Sequence, residues 1–224
     1  MKNAKFLPYD TDQYPFAKIL AEQIYKVPDL SKLHLYYQKM KRRKGKSGAI
    51  DYSDNLILRA LMQRMKEDSP FYQLYRSFVF EQLAPFFGGK ISFTAHPKFR
   101  VHLAGTDSVS KWHIDVDYTH RHEQINAWMP FTNCFDTNTI WVENDYGSED
   151  YLPVDVMYGE VLLFDGGYLS HGTVPNKTDM TRVSLDFRFH SYRNDPPFPD
   201  RGILSGRPAQ YYDNHLLKKS KNTQ

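Results

Sequence analysis

The chain has 224 residues, of which 41% are hydrophobic, and a formal net charge of +3. This length suits one domain with a sizeable core, and the hydrophobic content excludes a disordered chain. The small net charge argues against a nucleic-acid partner and favours anionic ligands only weakly.

Cysteine usage and hydropathy indicate where the protein works. Cys134 is the only cysteine, so an intrachain disulfide and a thiolate metal cluster are excluded and a reducing compartment is favoured. The opening residues MKNAKFLPYDTDQYPF contain no apolar run typical of a secretory signal. No run reaches the roughly 18 apolar residues that a membrane span needs. We therefore expect a soluble cytoplasmic protein with no membrane partner; its oligomeric state stays open.

The first 89 residues predict helices. Apolar residues recur at helical spacing in four stretches. Ser53 and Ser69 are the expected N-caps of the last two helices, and Pro70 suits a first helical position. The four predicted helical stretches are 17–27, 28–40, 53–68 and 69–83.

A basic run at 39–46 lies between two of these helical patterns, within KMKRRKGKSG. The simplest interpretation is a solvated loop. The functional alternative is a rim that attracts an anionic substrate.

After Gly89 the hydrophobic period changes from helical to two, which is typical of strands. Strands are predicted within 90–96, 99–105, 123–132, 138–144, 159–167 and 181–192. No helical pattern of 10–15 residues separates them, which favours an antiparallel arrangement over βαβ units. The expected fold is mainly β, a sandwich or jelly roll with the N-terminal helices packed outside. We expect a single domain over 1–224, with helical support at 1–89, a strand-rich core at 90–192 and a tail at 193–224 that wraps or frays.

Chemistry-bearing residues concentrate in WHIDVDYTHRH at 112–122. In an extended segment His113 and Asp115 point to the same side, so both can reach one metal ion. His171, which follows the strand GEVLLFDGG, is the expected third ligand. Two histidines and one carboxylate form a facial triad with open positions, typical of non-haem Fe(II) oxygenases.

The alternatives to this triad lie in the same stretch. An H-x-D pair is common by chance, and Asp117 is a rival carboxylate two residues beyond Asp115. We prefer Asp115 because H-x-D places both ligand atoms without a bend. His120 and His122 are expected on a polar turn, without a metal role.

The strand TRVSLDFRF supplies a second site. With period two, Arg182, Ser184, Asp186 and Arg188 share one face, and large apolar residues share the other. The polar face must then look into water or a hydrated cavity. An arginine with a serine two residues on can bind a carboxylate, the guanidinium through two hydrogen bonds. The alternative is a salt-bridged surface strand.

Together, His113-Ile-Asp115, His171 and Arg182-Val-Ser184 resemble the H-x-D…H…R-x-S signature of Fe(II)/2-oxoglutarate-dependent oxygenases. More narrowly, the chain from about Phe99 to Phe189 resembles the hydroxylase-like branch found in aminoglycoside (streptomycin-type) biosynthesis. The resemblance is carried by EQINAWMPFT, NTIWVEN, YGEVLLFDGGYLSHGTVPN and DMTRVSLDFRF. It is specific for the superfamily and names no substrate.

The resemblance implies a double-stranded β-helix, a cupin-like jelly roll, with Fe(II) at its mouth and 2-oxoglutarate inside. It assigns Arg182 to the distal carboxylate of 2-oxoglutarate, with Ser184 beside it. It also implies that 2-oxoglutarate and O₂ are consumed and that succinate and CO₂ are released. Hydroxylation of a small metabolite such as an amino acid or amino sugar is the default outcome, and desaturation and ring closure stay open.

Further pocket residues are expected on neighbouring strands. Asn126 would point at 2-oxoglutarate, or else bond to backbone groups, and it shares a face with Trp128. Arg100 and His102 are candidates for the wall of the substrate pocket. Arg188 lies six residues beyond Arg182, roughly 20 Å along an extended strand. It should therefore contact the primary substrate, or pair with an acid such as Asp186 or Asp165.

Two other functional classes fit part of the pattern. A cupin-type metalloenzyme that does not use 2-oxoglutarate would explain the metal ligands but leave Arg182 and Ser184 without a role. A non-catalytic jelly roll that binds a small molecule would tolerate the loss of iron.

Overall fold

The computed structural model describes residues 3–192 and residue 198. Helices precede most of the strands, as the sequence predicts. The predicted behaviour of the tail at 193–224 lies outside the described residues, except that Phe198 is buried in the main core. Along the described part of the chain, no helix has both the length and the apolar character to cross a membrane.

The helical region contains five α-helical segments, two of which continue as π-helical turns. A third is preceded by a 3₁₀ turn. The helices are α1 (Phe16–Ile19, continuing as a π-helical turn Leu20–Tyr25), α2 (Leu33–Arg43, preceded by a 3₁₀ turn Leu30–Lys32), α3 (Tyr52–Gln63), α4 (Pro70–Phe78, continuing as a π-helical turn Val79–Leu83) and α5 (Ala84–Phe86).

One of the two predicted N-caps is confirmed. Ser69 caps α4 by accepting a hydrogen bond from the backbone N–H of Tyr72, and Pro70 takes the first helical position. The prediction for Ser53 is wrong, because Asp51 caps α3 and accepts from the Ser53 N–H at 2.8 Å. The Asp54 carboxylate accepts from the Asp51 N–H at 3.0 Å, which completes a capping box.

The basic run is only in part the solvated loop that the sequence predicts: 39–43 belong to α2, and 44–46 form the exposed turn after it. Helix α2 continues to Arg43, so the run begins inside its last turn. Cations there interact favourably with the helix dipole. Lys41 also pairs with Asp54 at 2.9 Å and donates to the Ala49 carbonyl at 2.6 Å. Part of the run therefore joins α2 to the start of α3.

Every strand pairing is antiparallel, and the six strands predicted from the sequence are all present. The strands are β1 (Ala4–Pro8), β2 (Ile91–Phe93), β3 (Lys98–His102), β4 (Ile125–Pro130), β5 (Trp141–Glu143), β6 (Tyr151–Pro153), β7 (Glu160–Phe164), β8 (His171–Gly172) and β9 (Arg182–Ser191). The large sheet has the order β1-β7-β4-β9-β2, with β3 also paired to β9, and the small sheet has the order β6-β5-β8.

Three strands were not predicted, and each gives a weak signal. Strand β1 lies in the region predicted as helical and pairs with β7 at the edge of the large sheet. Only Leu7 among its five residues is buried, so the strand shows no alternation of apolar residues. Strands β6 and β8 have only three and two residues, too few to show a period.

The large sheet separates two cores because its side chains alternate between its faces. On β7, Val161 and Leu163 join the core beneath the helices, whereas Leu162 and Phe164 join a second core shared with the small sheet. The apolar face of β9 packs on the helical layer through ring contacts such as Phe187 with Tyr75, 5.2 Å between centroids. The polar face of β9 therefore points into the space between the two sheets.

Candidate metal centre

The structure brings His113, Asp115 and His171 together at the mouth of this space. Their candidate ligand atoms all lie within 4.8 Å of one another. The His113 and His171 backbones exchange two hydrogen bonds of 3.0 Å, and the Asp115 N–H donates to the Gly166 carbonyl at 3.0 Å. Backbone pairing therefore joins His113 to His171, 58 residues later, and Asp115 to Gly166, 51 residues later.

Both histidines are oriented by the same local contact. Nδ1 of His113 lies 2.7 Å from the Lys111 carbonyl, and Nδ1 of His171 lies 2.9 Å from the Leu169 carbonyl. A carbonyl only accepts, so each Nδ1 carries the proton and each Nε2 keeps a lone pair for a metal. Burial lowers the pKa of His171 to about 4, so this ring is neutral near pH 7.

Asp115 reaches the site by a different backbone route from the extended one predicted. It has helical backbone angles, φ −65° and ψ −34°, and immediately precedes the short helix α6 (Val116–Thr119). The chain therefore bends after His113, and the bend rather than strand periodicity turns the carboxylate towards the His113 ring, with Oδ1 3.5 Å from Nε2. The argument that preferred Asp115 because no bend is needed is wrong.

Asp115 is 2% exposed, yet its carboxylate is surrounded by donors. Arg188 grips both oxygens, with Nε 2.7 Å from Oδ2 and Nη2 in contact with Oδ1. Asn126 Nδ2 donates to Oδ2 at 2.5 Å. Burial alone would raise the pKa of this carboxyl, but the hydrogen bonds and positive charge of Arg188 outweigh it and hold the pKa well below its usual range. Asp115 is therefore ionised at neutral pH.

These contacts revise two predictions. Arg188 pairs with Asp115, and not with Asp186 or Asp165, because β9 lies beside β4 and ends close to the bend at Asp115. Asp186 instead accepts from Arg100 at 3.1 Å, and Asp165 accepts from the Tyr146 hydroxyl. Asn126 donates to Asp115 at 2.5 Å rather than to backbone groups, and its predicted contact with 2-oxoglutarate stays a prediction.

Arg182 and Ser184 lie deep on the polar face of β9, where they are 1% and 0% exposed. Nη1 of Arg182 donates to the Asn138 and Thr139 carbonyls, each at 3.1 Å, and its guanidinium lies 5.7 Å from the centroid of the Trp128 ring. Arg182 Nε and Ser184 Oγ are buried and have no hydrogen-bond partner among the described residues. This face lines the pocket, with Arg182 and Ser184 buried and Asp186 and Arg188 partly buried, so β9 is not the surface strand of the alternative interpretation.

One pocket joins the candidate metal site to this polar face. Its walls include most of the residues predicted for the site, together with Ser110, Thr173 and two apolar side chains not singled out from the sequence, Ile140 and Phe164. The lining residues are Arg100, Ser110, His113, Asn126, Trp128, Ile140, Phe164, His171, Gly172, Thr173, Arg182, Asp186 and Arg188.

His102 does not line the pocket. It lies opposite Arg182 on the paired strand, fully buried, and Nε2 lies 3.3 Å from the Thr106 carbonyl. Burial, helped by the charge of Arg182, lowers its pKa to about 3. Its predicted role in the wall of the substrate pocket is therefore wrong.

This neutral histidine predicts a pH dependence of stability. Between about pH 6.5, the ordinary histidine pKa, and about pH 3, the unfolded chain binds a proton that the folded chain excludes. The free energy of unfolding should therefore decrease as the pH is lowered through this range, by up to about 1.4 kcal/mol per pH unit from His102 alone. Urea unfolding of the wild type and His102→Asn at pH 7, 5 and 4 measures this. Equal pH slopes in the two proteins would refute the assignment.

The rival residues lie beside the site. His120 is exposed and has a left-handed backbone, φ 54°. His122 is exposed, and its Nδ1 lies 2.8 Å from the Tyr168 hydroxyl. Asp117 lies on α6 and is not in the cluster of candidate ligands found among the described residues.

Gly166 is a site residue that the sequence reasoning missed. A Cβ added here would lie 2.5 Å from Nδ2 of Asn126, the group that donates to Asp115. The Gly-Gly pair directly after strand β7 was the available signal, because glycine after a strand often marks a close backbone approach.

Gly166→Ala should therefore displace Asn126. Overpacking of this kind typically costs about 1–3 kcal/mol, and we expect weaker metal binding as well. Thermal unfolding and metal titration of Gly166→Ala, Asn126→Ala and the double variant test the contact as a double-mutant cycle. Strict additivity of the two substitutions would show that the side chains do not meet.

Fold and site together describe a protein of two antiparallel sheets backed by helices, with a pocket that holds two histidines, a carboxylate and a buried arginine. No profile of a known protein family matches the chain. Over 120 residues the chain is 38% identical to the streptomycin biosynthesis protein StrG of Streptomyces griseus, covering 52% of this chain and 57% of StrG. The chain thus matches little more than half the length of that relative.

Two solved structures share the fold. AviO1 from Streptomyces viridochromogenes Tue57 superposes with a TM-score of 0.52 at 17% identity, covering 88% of this chain and 94% of AviO1. EvdMO1 also gives a TM-score of 0.52, at 16% identity, covering 86% of this chain and 48% of EvdMO1. The likeness covers the helical region as well as the sheets, since it extends over most of the chain.

Proposed function

We propose that this protein is a non-haem Fe(II)- and 2-oxoglutarate-dependent dioxygenase that hydroxylates an unactivated C–H bond of a small metabolite. The supporting observation is that the cluster His113, Asp115 and His171 opens onto the same pocket as the buried Arg182. We also propose that the two sheets form a double-stranded β-helix with this pocket at its mouth.

The donor set fits Fe(II). Two imidazoles hold Nδ1 on a backbone carbonyl and turn Nε2 to the site, and one ionised carboxylate faces them. Two histidines and a carboxylate leave open coordination positions, whereas structural zinc sites fill all four with protein ligands. His171 is fixed by its own backbone pairing to His113, so both imidazoles would be held before metal binds.

The far end of the pocket fits a carboxylate. Arg182 Nε and Ser184 Oγ are buried hydrogen-bonding groups without a described partner, and such groups are costly unless something binds them. The distal carboxylate of 2-oxoglutarate would accept from both, and the other end of this diacid would reach the metal. Burial lowers the pKa of Arg182 only to about 10, so the guanidinium remains charged at neutral pH.

When bound, Fe(II) with 2-oxoglutarate and O₂ supplies the oxidising chemistry, with succinate and CO₂ as co-products. The side chains of the pocket would orient the reactants and limit the access of water to them. Arg182 and Ser184 would fix one end of 2-oxoglutarate, and Trp128 covers the Arg182 guanidinium. Phe164 and Ile140 add apolar wall to the same pocket.

The primary substrate would enter beside the Arg100–Asp186 pair. Both side chains line the pocket and are about one-fifth exposed, 21% and 22%. We propose Arg100, Trp128 and, in addition, Asp186 as substrate contacts, since Arg188 already pairs with Asp115. The name of StrG places that relative in streptomycin biosynthesis, which supports an amino acid, amino sugar or natural-product intermediate as substrate.

The test is anaerobic titration of the metal-free protein with Fe(II) and then 2-oxoglutarate. Direct chelation should give a weak visible charge-transfer band that saturates near one Fe(II) per chain. Bound iron without this band would favour a metalloenzyme that does not use 2-oxoglutarate. No bound iron would favour a non-catalytic binding protein.

A further inference from the structure

The strongest contact in the site is one that binding of 2-oxoglutarate does not require. Arg188 holds the candidate ligand Asp115 through two donors on one guanidinium edge, Nε and Nη2, and Asn126 adds a third hydrogen bond. These partners come from β9 and β4, the two central strands of the large sheet. The carboxylate is therefore held from the centre of the large sheet.

Counting lone pairs shows which oxygen remains available. A carboxylate has about four acceptor positions, two on each oxygen. Oδ2 of Asp115 accepts from Arg188 Nε and Asn126 Nδ2, so both of its positions are used. Oδ1 accepts from Arg188 Nη2, and its remaining position faces the His113 Nε2 atom at 3.5 Å. Only Oδ1 can bind a metal at the histidines, and it can do so only as a single-oxygen ligand.

The charges give Arg188 a second effect. Asp115 is nearly fully buried, and an ionised carboxylate there needs a counter-charge. Before metal binds, Arg188 supplies it. After metal binds, the same cation draws electron density from the ligand and repels the ion. This is the opposite of a carboxylate behind a histidine ligand, which raises ligand basicity.

We infer that Arg188 is a positioning residue for the metal site. With Asn126 it selects Oδ1 as the ligand atom, and it acts as the counter-ion of Asp115 in the metal-free protein, at a cost in metal affinity. This inference rests on the proposed metal site. It makes the site preformed before metal arrives, rather than assembled by the ion.

The experiment compares Arg188→Gln and Arg188→Lys with a matched control, Arg100→Gln. Arg100 lines the same pocket and carries the same charge, but it pairs with Asp186. For each protein, Co(II) alone is titrated by calorimetry, and thermal unfolding is followed without and with saturating Co(II).

Loss of the counter-ion should destabilise the metal-free protein more than the metal-loaded one. By linkage, Arg188→Gln should then bind Co(II) at least about fivefold more tightly than the wild type. Arg188→Lys, which keeps the charge, should stay within about threefold of the wild type. In Arg100→Gln, any loss of Tm should be the same with and without Co(II).

Equal or weaker Co(II) binding by Arg188→Gln would overturn the inference and leave the proposed function standing. A purely structural role for Arg188 would lower Tm equally in both metal states. If the wild type binds no Co(II), the proposed function fails, and the inference fails with it.

Discussion

Replacing His171 with alanine is expected to remove the metal and abolish turnover of 2-oxoglutarate. His171 is buried, keeps a lone pair on Nε2, and is one of the three candidate ligands found within residues 3–192. Loss of groups that merely support a ligand typically costs about 10–100-fold in metal affinity, so loss of a ligand should cost more than about 100-fold. Elemental analysis after dialysis against Fe(II) under anaerobic conditions measures it.

His122→Ala is the matched control for this prediction. His122 lies in the same histidine-rich stretch as His113 but is exposed and contacts Tyr168. We expect His122→Ala and His120→Ala to keep most of their iron and His113→Ala to lose it as His171→Ala does. Equal iron loss in His122→Ala would show that the ligand set has been wrongly assigned.

Replacing Arg182 should raise the 2-oxoglutarate requirement by at least about tenfold. Removing one partner of a buried charged pair typically costs about 2–5 kcal/mol, or roughly 30- to several-thousand-fold in affinity at about 1.4 kcal/mol per decade. Arg182 also donates to the Asn138 and Thr139 carbonyls, so alanine would remove structural contacts too. Arg182→Lys is therefore the better variant, because it keeps the positive charge but loses the two parallel N–H donors of the guanidinium.

The measurement is the charge-transfer titration with 2-oxoglutarate at saturating Fe(II), well below the Tm of each variant. Arg100→Gln serves as control, because it removes an arginine from the same pocket on the neighbouring strand. Its 2-oxoglutarate affinity should stay within about threefold of the wild type. If Arg100→Gln loses more affinity than Arg182→Lys does, the carboxylate site has been placed on the wrong arginine.

Periodicity predicted the larger elements because burial imposes it. Strand β9 shows this most clearly, since Val183 and Leu185 meet the helical core while Arg182, on the opposite face, lines the pocket. Strand β1 escaped prediction because an edge strand with one buried side chain has no period to detect. The π-helical turns after α1 and α4 leave no recognisable mark in the sequence.

The triad could be proposed from residue types and order, but its geometry could not. The bend that turns Asp115 is set by pairing to Gly166, 51 residues later. The partner of Arg188 depends on which end of β9 lies beside that bend. The alternation of side chains along the strand predicts the face of Arg188 but not this position. The predicted role of His102 in the pocket wall was wrong for the same reason. Its side chain is on the expected face of β3, but it is buried opposite Arg182 and does not reach the pocket.

The most direct test of the central claim is conversion of 2-oxoglutarate to succinate in air, measured with and without added Fe(II), in the absence of a primary substrate. We expect slow, iron-dependent formation of one succinate per 2-oxoglutarate consumed by the wild type, and none by His171→Ala. Iron-independent conversion, or no conversion by an iron-loaded wild type, would contradict a 2-oxoglutarate-dependent dioxygenase built on His113, Asp115 and His171.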